Sequence, residues 1–287
     1  MRWAILLLYF VLALPTFAEP PPTGLSVQVD ANGAKGSGVP FVRGDTTFIW
    51  TCGHVVNGLQ TVKQEVDPAT GQPRTYIRYD DVRVVVDEYQ DNRMVGTRTH
   101  FAKIIRFSDY SRGGEDLALL VLYRKKSGFQ SATLVDSVPA AGESLWCVGG
   151  AGTNCNGQVA PGCFSTAGRL GGYGGLHNKT HNAKIFDSIT ASALGGHSGG
   201  GVFLKDNAKC IGLLAIGVDN SEGINLVIPA RRMREYAKRT DCLWALEQKG
   251  NVPDDFGGES KITDRPVELT APQADKKTAP LLFRFFP

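Results

Sequence analysis

The chain has 287 residues, 42% of them hydrophobic and 21% charged, which is apolar content enough for a sizeable core. Its 31 Lys and Arg against 28 Asp and Glu leave a formal net charge of +3. So small an excess, with no stripe of interleaved basic and aromatic residues, argues against nucleic acid or an acidic membrane surface as a partner. The N-terminus reads as a targeting signal. Arg2 supplies the positive start, Trp3 to Leu14 is an unbroken apolar run, and Thr16-Phe17-Ala18 offers small residues at the positions a signal peptidase inspects. Cleavage is expected near Ala18, with the mature chain exported to a periplasmic or extracellular space. The apolar run is shorter than the roughly 20 residues that cross a bilayer, so no stable membrane anchor is expected.

Residues 19–24 form a Pro-rich linker, and one domain is expected over 25–249. From Leu25 onward, short apolar runs alternate with turn residues, the pattern of an all-β chain. A count of 34 glycines suits the tight turns of such a fold. Strands are predicted at Gly38–Val42, Thr47–Thr51, Val82–Val86, Lys103–Phe107, Leu117–Leu122, Ser144–Val148, Lys184–Ser188, Gly201–Leu204, Cys210–Val218 and Gly223–Ile228. Lys63 to Arg74 is charged and reads as a surface loop. After Pro229, Met233, Tyr236, Ala237, Thr240 and Trp244 fall at helical spacing, which predicts a closing helix with Gly250 past its end. Residues 250–287 are rich in Pro, Asp, Lys and Gly and read as a disordered tail.

Six cysteines in an exported chain are compatible with disulfides. Cys155 and Cys163 bracket a Gly/Pro/Asn-rich loop and are the expected pair. Cys52, Cys147, Cys210 and Cys242 admit several pairings. Cys52 and Cys147 lie in apolar, strand-like surroundings that suit buried free thiols.

Three segments carry chemistry. Thr51-Cys52-Gly53-His54-Val55-Val56 runs from a strand into a turn bearing one histidine. Glu115-Asp116-Leu117-Ala118-Leu119-Leu120 is an acid leading into an apolar strand. Gly195-Gly196-His197-Ser198-Gly199-Gly200-Gly201 holds a serine among glycines. Amide hydrolysis needs a nucleophile, a base to take its proton, and donors for the oxyanion that forms. Ser198, His54 and Asp116 supply the first two requirements and the group that orients the base. The glycines allow the backbone dihedrals that turn the N–H groups of Gly196 and Ser198 into one cavity. Asp109 is a rival acid, but it sits in a turn-like stretch whereas Asp116 opens the apolar strand.

In this order, these segments resemble the trypsin-like peptidases, and more closely their bacterial HtrA-type branch. That branch carries a Gly-Ser-Gly strand, Thr-x-x-His-Val-Val, Asp-x-Ala-Leu-Leu, Gly-Asn-Ser-Gly-Gly-Pro and Gly-Ile-x-x-x-Ile-Pro before a closing helix. The matching stretches here are Gly36-Ser37-Gly38, Thr51 to Val56, Asp116 to Leu120, Gly196 to Gly201, and Gly223 to Pro229. The resemblance covers roughly residues 33–238. It implies two six-stranded antiparallel β-barrels with a C-terminal helix and the site in the cleft between them. It also implies His54, Asp116 and Ser198 as triad, Gly196 and Ser198 as oxyanion donors, polypeptide substrates and no cofactor. His197 stands where the family has Asn or Asp, and Gly201 where it usually has Pro. Branch members often carry a PDZ module, and none is expected in the residues past Gly250.

The resemblance also places Ser192 at the base of the primary pocket, with walls from Leu213, Leu214 and Ala215 and from Asn225. No carboxylate stands there to pair with Lys or Arg, so small or medium apolar residues are expected before the scissile bond. The Gly196-x-Ser198-x-Gly200 spacing also fits an α/β-hydrolase elbow, but all five histidines precede Ser198, the reverse of the order that fold requires. His177 and His181 sit in a Gly-rich stretch with no second ligand pair at zinc spacing, so no metal site is expected. A catalytically silent protease fold that captures peptides is the alternative function.

Overall fold

The computed structural model describes residues 21–90, 93–109, 114–125, 127–150, 163–173, 185–217, 223–247 and 251–253. The N-terminal apolar run, Cys155, His177, His181 and residues 254–287 lie outside the described residues.

The first strands are β1 (Val27–Ala31), β2 (Ala34–Arg43) and β3 (Thr46–Thr51), followed by the one-turn helix α1 (Gly53–Val56). Asn32 and Gly33 link β1 to β2 with φ of 52° and 100°, the left-handed pair that a two-residue hairpin turn requires. Next come β4 (Gln60–Val66), β5 (Pro73–Tyr79), β6 (Val82–Gln90), β7 (Arg93–Ser108) and β8 (Leu117–Leu122). Strands β1, β2, β3, β8, β7 and β6 close into one antiparallel barrel. Every residue of β8 is buried, so it shows no alternation and reads as a continuous apolar run.

The second half supplies β9 (Ser144–Gly150), β10 (Cys163–Tyr173), β11 (Asp187–Ile189), β12 (Gly201–Leu204), β13 (Cys210–Gly217) and β14 (Asn225–Pro229). These strands close the second barrel in the order β10, β11, β14, β13, β12, β9. Closure leaves neither barrel with an exposed sheet edge. Helix α2 (Ala230–Arg239) grows directly out of β14 and packs on β13 and β14. It also reaches the first barrel, where Tyr236 meets Trp50 edge-on at 6.1 Å between ring centroids. Beyond the helix, Trp244 meets Phe48 at 5.1 Å.

Four expectations need correction. Lys63 to Arg74 is not a loop: β4 and β5 pair with each other from Gln60↔Tyr79 to Val66↔Pro73 and form a separate hairpin. Strand β1 lies where the sequence predicts none, and β7 begins ten residues before the predicted Lys103. Helix α2 stops at Arg239 rather than running on past Trp244. Thr240 Oγ1 there donates back to the Tyr236 carbonyl at 2.8 Å, and Asp241 turns left-handed at φ 51°. The fourth concerns sulfur. Cys52, Cys147, Cys163, Cys210 and Cys242 are all buried free thiols, so Cys163 is not in a disulfide here. Burial pushes the thiols of Cys147 and Cys210 up to about 12.

Candidate active site

The register of β3 on β8, with Thr51 opposite Ala118, brings the end of one strand beside the start of the other. His54 follows β3 on α1, and Asp116 immediately precedes β8. Gly53 makes the approach possible, because a Cβ there would lie 2.5 Å from the Ser108 carbonyl oxygen and 3.3 Å from Asp116 Oδ1. Asp116 is fully buried and holds φ 57°, a left-handed conformation that Asp tolerates better than most residues. Its Oδ1 accepts the His54 backbone N–H at 2.8 Å, and its carboxylate meets His54 Nδ1 at 2.9 and 3.1 Å. An acceptor at Nδ1 leaves Nε2 as the nitrogen able to exchange a proton with a third group. Asp116, not Asp109, is the acid that reaches the imidazole.

Ser198 comes from the second barrel, in the loop that leads into β12. That loop is pressed against the first barrel by backbone contact. Gly199 has φ 82°, and a Cβ there would lie 2.2 Å from the Ser37 carbonyl oxygen and 2.9 Å from the Cys52 nitrogen. Glycine is therefore required at this position, and it lets the residue after Ser198 lie against Cys52, two positions before His54 in the chain. Ser37 locks the seam. Its N–H donates to the Ser198 carbonyl at 2.7 Å, its hydroxyl donates to the Gly196 carbonyl at 2.6 Å, and the same hydroxyl accepts Gly150 N–H at 2.8 Å. Ser198 Oγ itself points to the Ala215 carbonyl, 3.4 Å away, and has no solvent exposure.

Leu194 to His197 forms a turn closed by His197 N–H on the Leu194 carbonyl at 3.1 Å. Its third residue, Gly196, has φ 92°, the left-handed region that glycine enters at no steric cost. Among the described residues, the N–H groups of Gly196 and Ser198 are not spent on internal hydrogen bonds. His197 is fully buried, and its Nδ1 accepts the Leu194 N–H at 2.8 Å. Burial lowers its pKa, partly offset by the carbonyls of Leu194 and Phe164.

Of the expected pocket residues, Ser192 is exposed, and its carbonyl accepts the Thr166 hydroxyl. Asn225 is buried and donates to the Ala191 carbonyl, tying β14 to the segment that leads to Ser198. The side chains of Leu213, Leu214 and Ala215 all belong to the barrel core. Strand β13 meets the site through carbonyls instead. Leu214 O accepts Gly199 N–H at 2.7 Å and the Cys52 thiol at 3.3 Å, and Ala215 O faces Ser198.

Cys52, His54 and Asp116 offer ligand atoms within 4.8 Å of one another, the only spacing among the described residues that would suit a metal ion. The chemistry argues for a hydrogen-bonded set. Burial, followed by the Asp116 charge, pushes the Cys52 thiol well up, so it stays protonated and donates to Leu214, while imidazole and carboxylate are bound to each other. Three contributors had no reading as site residues in the sequence: the Ser37 hydroxyl, the His197 acceptor, and the Glu115–Arg232 pair behind Asp116. Ser37 carries a signal as the centre of Gly36-Ser37-Gly38, and His197 as a departure from the family's Asn or Asp; the Glu115–Arg232 pair carries none.

Paired six-stranded barrels with an imidazole–carboxylate couple at the end of one and a glycine-framed serine from the other define the chymotrypsin-like fold. Residues 36–213 match the trypsin-like peptidase domain, so the chain belongs to that family and is a serine endopeptidase by membership. Solved structures share the fold at low identity. An inactive form of an alanine mutant of Rv3671c from M. tuberculosis H37Rv aligns with TM-score 0.52 and 16% identity, over 79% of this chain and 90% of that one. The active form of the Rv3671c protease gives 0.51 and 16%, over 79% and 84%. The serine endoprotease from Yersinia pestis gives 0.50 and 18%, over 76% of this chain and 62% of that one. None of the curated proteins compared with the chain matches it.

Proposed function

We propose that the protein hydrolyses peptide bonds in exported or extracellular polypeptides, with Ser198 as nucleophile, His54 as general base and acid, and Asp116 as the group that orients the imidazole. The observation that carries this is the double acceptance at Asp116, which takes both the backbone N–H of His54 and its Nδ1 within 3.1 Å. In this mechanism His54 Nε2 removes the Ser198 proton as Oγ attacks the scissile carbonyl, then delivers it to the leaving amine. Asp116 stabilises the imidazolium in between. The N–H groups of Gly196 and Ser198 receive the oxyanion, each worth about 3 kcal/mol in such sites.

The segments that flank the proposed primary pocket, 191–196, 213–217 and 225–226, contain no carboxylate, which supports a preference for small or medium apolar residues before the scissile bond. Cleavage of a peptide library chiefly after Lys or Arg would overturn that preference. Export is proposed from the apolar N-terminal run, and N-terminal sequencing of the secreted chain tests it.

A fluorophosphonate probe at pH 8, where an ordinary imidazole is neutral, tests the central claim. The wild type is expected to label and Ser198→Ala to remain unlabelled. Absence of label on folded wild type, with retained binding of extended peptides, would instead favour a silent capture scaffold. That second reading draws on the closed position of Ser198, whose hydroxyl faces Ala215.

A further inference from the structure

Asp116 holds a left-handed backbone, φ 57°, with no solvent exposure. Non-glycine residues keep such a conformation only where the surroundings over-determine it. Much of what holds this one comes from the opposite end of the chain. Gly114 N–H donates to the Asp109 carbonyl at 2.8 Å, and Glu115 N–H donates to Ser108 Oγ at 2.7 Å, so the N-terminal side of the acid is pinned to the end of β7. The Glu115 carbonyl, which belongs to the peptide joining it to Asp116, accepts Arg232 Nη2 at 3.0 Å. The same guanidinium grips the Glu115 carboxylate through Nε at 3.1 Å and Nη2 at 2.9 Å. Arg239, one helical stretch further along α2, adds a contact to the other carboxylate oxygen at 2.9 Å.

Glu115 and Arg232 are both nearly excluded from water, at 7% and 5% exposure. Arg232 is itself fixed, since Nη1 donates to the Ile185 carbonyl at 3.1 Å and the guanidinium lies 4.6 Å over the Phe186 ring. A fork with this many partners has one geometry available to it, which a flexible ammonium could not reproduce.

We infer that Arg232 is a positioning residue for the catalytic acid: from the closing helix on the second barrel, it sets the Glu115–Asp116 peptide on the first. The inference rests on the triad proposed above. Through this contact, the helix that follows β14 decides whether the Asp116 carboxylate meets His54 Nδ1 squarely. Imidazole orientation, and with it turnover, then depends on an arginine that never touches substrate. A displacement of about 1 Å at such a group typically costs on the order of 100-fold in rate.

Two variants test it, Arg232→Met and Arg232→Lys, each checked by its thermal transition and read for kcat, KM and the far-downfield proton resonance of the His54 Nδ1–H bridge. Arg232→Lys keeps a buried positive charge beside Glu115 but cannot grip carboxylate and carbonyl in the same plane, so it covers the case in which Arg232→Met fails to fold. Expected for Arg232→Met is a loss of kcat of roughly 100-fold with KM within about twofold, and a broadened or shifted bridge resonance. For Arg232→Lys the expected loss is about tenfold, with the resonance displaced in the same sense. A folded Arg232→Lys or Arg232→Met with wild-type kcat and an unmoved resonance would overturn the inference. If the wild type itself lacks both the resonance and fluorophosphonate labelling, the triad fails rather than the role of Arg232.

Discussion

His197 Nδ1 lies 2.8 Å from the Leu194 N–H and 3.2 Å from the Leu194 carbonyl, and the shorter contact casts it as an acceptor. A backbone N–H cannot receive a proton bond, so the 2.8 Å contact from Leu194 requires a lone pair on His197 Nδ1. Protonation would set donor against donor inside a fully buried turn whose third residue is Gly196. Burial already disfavours the cation and lowers the folded-state pKa below the ordinary 6.5. With the folded pKa depressed, the unfolded chain binds the extra proton first as pH falls. The stability from neutral His197 is therefore complete above about 6.5 and is lost as pH drops toward the lower folded value. His197→Asn keeps an acceptor of similar reach that does not titrate. Melting temperature plotted against pH from 7.5 to 5 should fall more steeply for the wild type than for this variant, and parallel curves would refute the assignment. In the sequence His197 stood out only as a departure from Asn or Asp. The three residues proposed as the triad are legible because each lies in a short local motif; a hydrogen bond from residue 194 to an imidazole three positions on is a property of the folded turn and has no motif.

The β4–β5 hairpin shows what periodicity misses. Pairing runs the length of both strands, yet on β4 Val62 is 58% and Val66 66% exposed, so that strand has no buried face to impose an alternation for the sequence to reveal. Its turn was visible in principle, since Asp67 takes the Ala69 N–H on its side chain and the Gln72 carbonyl on its own N–H. The unforeseen β1 also ended at a legible signal, Asn32-Gly33, while Pro-rich residues before it suggested linker. By contrast, β8 is legible as an apolar run buried throughout, and β3 by the buried Phe48-Ile49-Trp50 between its threonines. The hairpin joins the barrel near its base, where the Tyr79 ring lies 5.3 Å from Phe107 and Asp80 N–H reaches the Leu59 carbonyl. Replacing residues 64–75 by a two-residue Asn-Gly turn between the paired Lys63 and Tyr76 should therefore shift the melting temperature by no more than about 3 °C, since little of β4 is buried. Cleavage of a short peptide should be unchanged. A collapse of the thermal transition would mean that the hairpin supports the barrel.

Two barrels that each close their own sheet have no strand in common, so the site depends on how the seam between them is held. At the centre of that seam, one hydroxyl does the joining. Ser37 on β2 donates to the Gly196 carbonyl and accepts Gly150 N–H, while its own carbonyl accepts the Thr51 hydroxyl at 2.6 Å, three residues before His54. All of these groups are buried, so no solvent can replace a missing partner. Ser37→Ala leaves one buried acceptor and one buried donor unsatisfied, a cost of about 1–3 kcal/mol. For a domain of this size that corresponds to a fall in melting temperature of roughly 3–10 °C. The Gly196 carbonyl is also the far end of the residue whose N–H is proposed to hold the oxyanion, so freeing it should lower kcat about tenfold while KM changes little. Calorimetry and steady-state kinetics on one preparation separate the two effects. A fall in melting temperature with kcat intact would make Ser37 a fastener of the barrels alone; loss of both would tie the geometry of the oxyanion turn to the docking of one barrel on the other.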